Sequence, residues 1–185
     1  MRALTLLLLA FAVGCGNPFP LPQASVENRV DTLSLYALHG TPVSTPSAYA
    51  MEFREAVRTD QSQGFDFAFD IDTAGRAVLL PTGALKLGRQ SGIQITTTPF
   101  DSVLIAPTSK YQLDSAVVVD SNTVALVQSR SLTCTFGIAG NFYAKLHVLR
   151  IDTTSSPSNG RRMDFEILTD INCGYRGLEP GLPRR

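Results

Sequence analysis

Along most of the chain the hydrophobic positions recur with a period of two, the signature of strands with one buried face and not of amphipathic helices. Residues 64–72 are the clearest stretch. Phe65, Phe67, Phe69 and Ile71 fall on one side, and Asp66, Ala68, Asp70 and Asp72 on the other. This alternation predicts a half-buried antiparallel strand with a solvated face. Thr73-Ala74-Gly75 supplies a short turn, with glycine suited to a left-handed backbone, and residues 76–80 run back to Pro81 as the second arm of a hairpin.

The same style recurs. Residues 30–38 alternate Leu33, Leu35 and Ala37 against Thr32, Ser34 and Tyr36, and stop at His39-Gly40-Thr41-Pro42. Residues 91–98, carrying Ile93 and Ile95, stop at Pro99, and residues 100–106 stop at Pro107. Residues 116–119 and 123–129 flank Asp120-Ser121-Asn122, a hairpin-turn composition. Residues 132–138 precede Ala139-Gly140-Asn141, residues 142–151 form a long alternating run, and Met163, Phe165 and Ile167 mark a last strand reaching about Ile171. Residues 152–161 make a polar loop between those two. Residues 48–58 fit a strand through Tyr49, Met51, Phe53 and Val57, broken by Glu55, and also a helix through Tyr49, Phe53, Ala56 and Val57; the neighbouring strands favour the strand. About nine to ten strands with regular turn signals predict one all-β domain. The expected form is a single antiparallel β-sandwich, with a β-barrel as the alternative that shares the same alternation. The domain is expected over residues 29–178, with an irregular tail at 179–185.

The first residues follow a different rule. Met1-Arg2 is a minimal basic start, and residues 3–13 are apolar apart from Thr5. As a helix this run reaches only about 16 Å, too short for a hydrocarbon core of roughly 30 Å, so it reads as the hydrophobic part of a secretory signal. Ala12-Val13-Gly14-Cys15 follows. This resembles the lipobox of bacterial lipoproteins, with Ala12 where leucine is commonest. The resemblance implies cleavage between Gly14 and Cys15, thioether diacylation of Cys15 and acylation of the new terminus. Two or three acyl chains anchor stably where one binds only marginally. An ordinary signal peptide, cut at an Ala-x-Ala-like site formed by Ala10, Ala12 and Gly14, is the competing reading. Gly16-Asn17-Pro18-Phe19-Pro20-Leu21-Pro22 is a Pro-rich run that cannot be helical, and residues 15–28 are expected to be a tether. Gly16, rather than aspartate, after the cysteine favours the outer membrane over the inner by analogy with enteric bacteria.

Composition narrows the function. The 185 residues are 44% hydrophobic and 17% charged, with 16 basic and 16 acidic side chains, so a dedicated nucleic-acid binder, which needs surplus cations, is not expected. Removal of residues 1–14 takes away Arg2 and leaves 171 residues with one net negative charge.

Three cysteines are present. If Cys15 is acylated, Cys134 and Cys173 form an even pair in an exported domain and are expected to be a disulfide, with two buried thiols as the alternative. Cys134 has the parity of Phe136 and Ile138, and Cys173 that of Phe165, Ile167 and Ile171, which points both inward.

Candidate chemistry is sparse. Asp70-Ile71-Asp72-Thr73-Ala74-Gly75 starts like a calcium loop but fails at Ala74 and at Pro81, leaving at most a weak surface site of Asp66, Asp70 and Asp72. His39 sits in a turn and His147 in mid-strand opposite Leu146 and Val148. Glu52, Glu55 and Glu166 are available carboxylates. No nucleophile elbow or phosphate-binding glycine loop occurs, and Arg161-Arg162 and Arg184-Arg185 are too short for a nucleic-acid stripe. The expectation is therefore a non-enzymatic, lipid-anchored envelope module with no cofactor or metal, bound to the membrane through its anchor and to an envelope protein or glycan. An envelope hydrolase and a lipocalin-like carrier of a hydrophobic ligand are the alternatives.

Overall fold

The structure, a computed structural model, describes residues 22–62, 64–88, 90–134, 137, 139–154 and 160–184. The signal and lipobox readings, Cys15 included, lie outside the described residues, as do Phe136 and Ile138. In chain order the strands are β1 (Val30–Tyr36), β2 (Ala48–Ala50), β3 (Glu55–Val57), β4 (Phe67–Ile71), β5 (Ala77–Pro81), β6 (Gly92–Thr96), β7 (Val117–Val118), β8 (Val124–Gln128), β9 (Leu132–Thr133), β10 (Ala139–Gly140), β11 (Tyr143–Asp152) and β12 (Arg162–Asp170). Two five-stranded antiparallel sheets form, ordered β1-β12-β11-β8-β6 and β3-β2-β4-β5-β7, beside a separate β9-β10 pair.

Alternation turns one face of each sheet inward, and the two faces meet in a single core. Leu35, Phe165, Leu146, Val127 and Ile93, one from each strand of the first sheet, pack with Tyr49, Ala56, Phe67, Leu79 and Val117, one from each strand of the second. Phe165 meets the opposite sheet edge-on, 6.2 Å from Tyr49 and 6.4 Å from Phe67 between ring centroids. The chain is thus all-β and a sandwich. Among the described residues neither sheet closes: β1 and β6 are the edges of one, β3 and β7 of the other.

Several local expectations are corrected. Residues 48–58 are neither one strand nor a helix but the hairpin β2-β3, turning at residues 51–54, with Arg54 in the left-handed region. Residues 100–106 are not a strand. After a 3₁₀ turn at Phe100–Ser102 this segment lies across the outer face of the first sheet, where Phe100, Val103 and Ala106 pack on Val124, Leu126 and Leu168. Lys145 of β11 holds it there: the buried ammonium donates to Phe100 O (2.9 Å) and Val103 O (3.1 Å) and sits 4.6 Å from the Phe100 ring centre. Burial pushes the Lys145 ammonium down from its ordinary pKa.

The turn at residues 120–122 exists, with Asn122 in the left-handed region, but β7 and β8 do not form a hairpin because they belong to opposite sheets. Of the expected strand over 132–138, Leu132–Thr133 forms β9, which pairs with β10 just beyond that range, while residues 135, 136 and 138 lie outside the described residues. The expected solvated face of β4 is buried. Asp66, Ala68 and Asp70 are 0%, 0% and 7% exposed, and Phe65 joins Ala68 in an outer cluster instead of sharing the face of Phe67. The chain leaving β1 covers that face, with Leu38 N donating to Phe69 O (3.0 Å).

The strand directions give the sandwich two ends, about 30 Å apart along the nine-residue β12. At one end lie Pro22–Glu27, the start of β1 and the end of β12; at the other lie the end of β1, the end of β4 and the start of β12.

Candidate functional site

The end opposite Pro22 carries a cleft of about 530 Å³ lined by His39, Asp70, Ile71, Asp72, Thr73 and Arg161. His39 stands in the turn after β1. Its ring Nδ1 donates to Asp70 Oδ2 at 2.5 Å and its backbone N–H to Asp70 Oδ1 at 3.1 Å. Asp70 Oδ1 also accepts Ile71 N–H at 2.8 Å. The carboxylate therefore fixes a ring whose side chain is 83% exposed, and the second ring nitrogen is left to face solvent. Arg161, just before β12 and itself in the left-handed region, donates to His39 O (2.8 Å) and Ile71 O (3.3 Å). Gly40, at φ +78°, suits this turn, and a Cβ there would lie 2.8 Å from Arg161 Nε, so a side chain would displace the guanidinium.

Asp72 is spent on the neighbouring turn, where it accepts Ala74 N–H, Arg76 N–H and the Arg76 guanidinium, and these donors hold its carboxyl below the usual range. The cleft thus offers an oriented imidazole, a hydroxyl and a guanidinium, a set suited to hydrogen-bonding a polar partner.

The other sequence candidates are dispersed. His147 lies on the outer face of the first sheet, donating to Glu166 at 2.7 Å with its ring 6.0 Å from that of Phe100. Glu52 pairs with Arg130 at 3.0 Å, and Glu55 is exposed at the start of β3. The three aspartates of the weak calcium reading go to different partners: Asp66 to Arg130, Asp70 to His39 and Asp72 to Arg76. Among the described residues, no three His, Cys, Asp or Glu side chains gather as a metal-ligand set.

Cys134 and Cys173 stand at disulfide distance, Cα–Cα 5.9 Å, at the end that carries Pro22. The parity of Cys173 is realised, since it packs against the main core. The residues just before it and after it hold the incoming chain. Asn172 Oδ1 accepts Ser25 N–H (2.9 Å) and Val26 N–H (3.0 Å) while its Nδ2 donates to Val26 O (2.8 Å). The Tyr175 hydroxyl accepts Ala24 N–H and donates to Pro22 O, both at 3.1 Å. Residues 22–28 of the expected tether are therefore docked on the domain. The expected tail is docked too: Asn28 and Gly181 exchange backbone hydrogen bonds of 2.8 and 2.9 Å.

Sequence reasoning missed Arg130 and the role of Arg161. Arg130 Nη1 reaches the buried Asp66 at 3.3 Å from 64 positions away, and no local pattern announces such a pair. No protein-family model and no curated protein compared with this chain matches it.

Proposed function

We propose that this chain is a bacterial lipoprotein of the cell envelope, held by acyl chains on Cys15, whose β-sandwich works as a non-enzymatic binding or assembly module. One observation carries the reading: an apolar run too short to span a bilayer leads directly into Ala12-Val13-Gly14-Cys15 and then a Pro-rich stretch. The arrangement of the domain supports it. The chain coming from Cys15 is fixed at one end, beside Cys134 and Cys173, and the His39–Asp70–Arg161 cleft lies at the other, where a protein or glycan partner in the envelope meets it. A Cys134–Cys173 disulfide suits an oxidising compartment, and Gly16 favours the outer membrane. Fatty-acid labelling followed by cell fractionation tests the anchor. The full chain is expected to carry labelled fatty acid in the membrane fraction and Cys15→Ala to carry none; equal labelling of both, or of neither, overturns the reading.

A further inference from the structure

We propose that the anchored end makes a second, non-covalent membrane contact, in which the exposed side chains of Val26, Leu104, Ile105 and Leu182 rest in the surface of a phospholipid bilayer. This deepens the lipoprotein reading and rests on it, adding the face that the domain turns to the membrane.

These side chains are 36%, 50%, 63% and 55% exposed. Exposed apolar side chains are ordinary when scattered, but a shared neighbourhood of them marks a contact surface. Here the segments that carry them are tied together. Ala106 N donates to Arg176 O and Leu178 N to Leu104 O, each at 2.8 Å, so residues 104–106 lie alongside 176–178. Asn28 Nδ2 donates to Gly177 O at 2.8 Å, which brings the segment after Val26 to the same place. The chain then folds back so tightly that a Cβ on Gly177 would stand 3.0 Å from Pro183. Leu182 and Pro183 in turn line a cleft with Gln23 and Ala24, where the chain arrives from Cys15. Within the segment 100–106, Phe100, Val103 and Ala106 face the sheet; Asp101 and Ser102 are exposed at its start, and Leu104 and Ile105 are turned away from the sheet at its end.

Tether length selects the bilayer as the occupant. Six residues separate Cys15 from Pro22, a span of at most about 25 Å when fully extended. With the acyl chains inserted, this end is held within that distance of the lipid surface, while the His39 cleft sits about 30 Å further along the sandwich. Charge in the neighbourhood is balanced, Arg29, Arg176 and Arg184 against Glu27, Asp101 and Glu179, so apolar burial and not attraction to anionic lipid drives the contact.

The chain has no tryptophan, so a single introduced indole reports its own surroundings. The full-length protein is expressed with its own leader as I105W, L182W or V43W and reconstituted into phosphatidylcholine liposomes with or without brominated acyl chains. Val43 is 70% exposed in the loop after β1, near the opposite end, and serves as the control. All three variants are expected to float with the liposomes. The I105W and L182W emission is expected to shift to the blue and to be quenched by brominated lipid, and the V43W emission to do neither. Flotation with I105W and L182W quenched no more than V43W overturns the membrane face and leaves the anchor standing. Failure of all three to float overturns the anchor itself, and the membrane face with it.

Discussion

At the residue scale the decisive groups are two buried aspartates. Asp66 is fully buried and accepts Met51 N–H (2.8 Å), Arg130 N–H (2.9 Å) and the Arg130 guanidinium (3.3 Å). Burial pushes its carboxyl up, and these donors pull against that shift. Arg130→Ala strands the charge and is expected to cost about 3 kcal/mol. Urea unfolding at neutral pH measures the loss, and a cost below about 1 kcal/mol would place the pair with surface salt bridges. Asp170 is also fully buried. One carboxylate oxygen takes Asn172 N–H and Nδ2, the other has no hydrogen-bond partner among the described residues, and burial raises its pKa. A raised value means that the folded state favours the neutral acid. Its contribution is complete below about pH 4, the range of an unfolded aspartate, and is lost as pH rises through the folded value. Asp170→Asn stays neutral throughout. Its stability relative to the parent is expected to climb as pH rises from about 4 towards neutrality; parallel stability–pH curves would contradict this origin.

At the scale of elements, alternation was legible in the sequence wherever a strand has one face in the core. Phe67, Phe69 and Ile71 on β4, and Leu146 and Val148 on β11, pack where their spacing puts them. The failures share a cause, which is that local patterns do not state what covers the second face. Asp66 and Asp70 look solvated until Arg130 and His39 arrive from 64 and 31 positions away. Residues 100–106 have strand composition, yet their apolar side chains serve the outer cluster and Lys145 clamps the segment by its carbonyls. The turn at Asn122 has hairpin chemistry, and no residue in it encodes that the chain changes sheets there. Glu55 interrupts a pattern because a hairpin, and not a strand, occupies residues 48–58. The candidate site was half legible: His39 and Asp70 were both in view, but their meeting depends on the turn after β1 folding back on β4. The cysteine pair belongs to this scale as well, since it ties the region of β9 to the end of β12 across 39 positions. Replacing both Cys134 and Cys173 by serine is expected to lower stability by about 4 kcal/mol on the chain-entropy model. Reductant should reproduce that loss in the parent and change nothing in the double variant; an unchanged urea midpoint in both would remove the disulfide from the fold's support.

At the scale of the whole molecule the sandwich is polar in its arrangement. The chain from Cys15 arrives at one end, where Asn172 and Tyr175 grip it on either side of Cys173, and the oriented His39 ring is presented about 30 Å away at the other. On the proposed reading this separation sets the cleft away from the lipid anchor, as a binding or assembly module requires. Acylation at Cys15 is the premise on which that arrangement depends. Intact mass of the protein extracted from bacterial membranes, taken with and without reduction and alkylation, tests it most directly. The expected result is a chain starting at Cys15 with the added mass of acyl groups, and two thiols, Cys134 and Cys173, that alkylate only after reduction. An unacylated chain cut elsewhere would contradict the anchor and turn the search towards a protein free in the periplasm or medium with a soluble ligand.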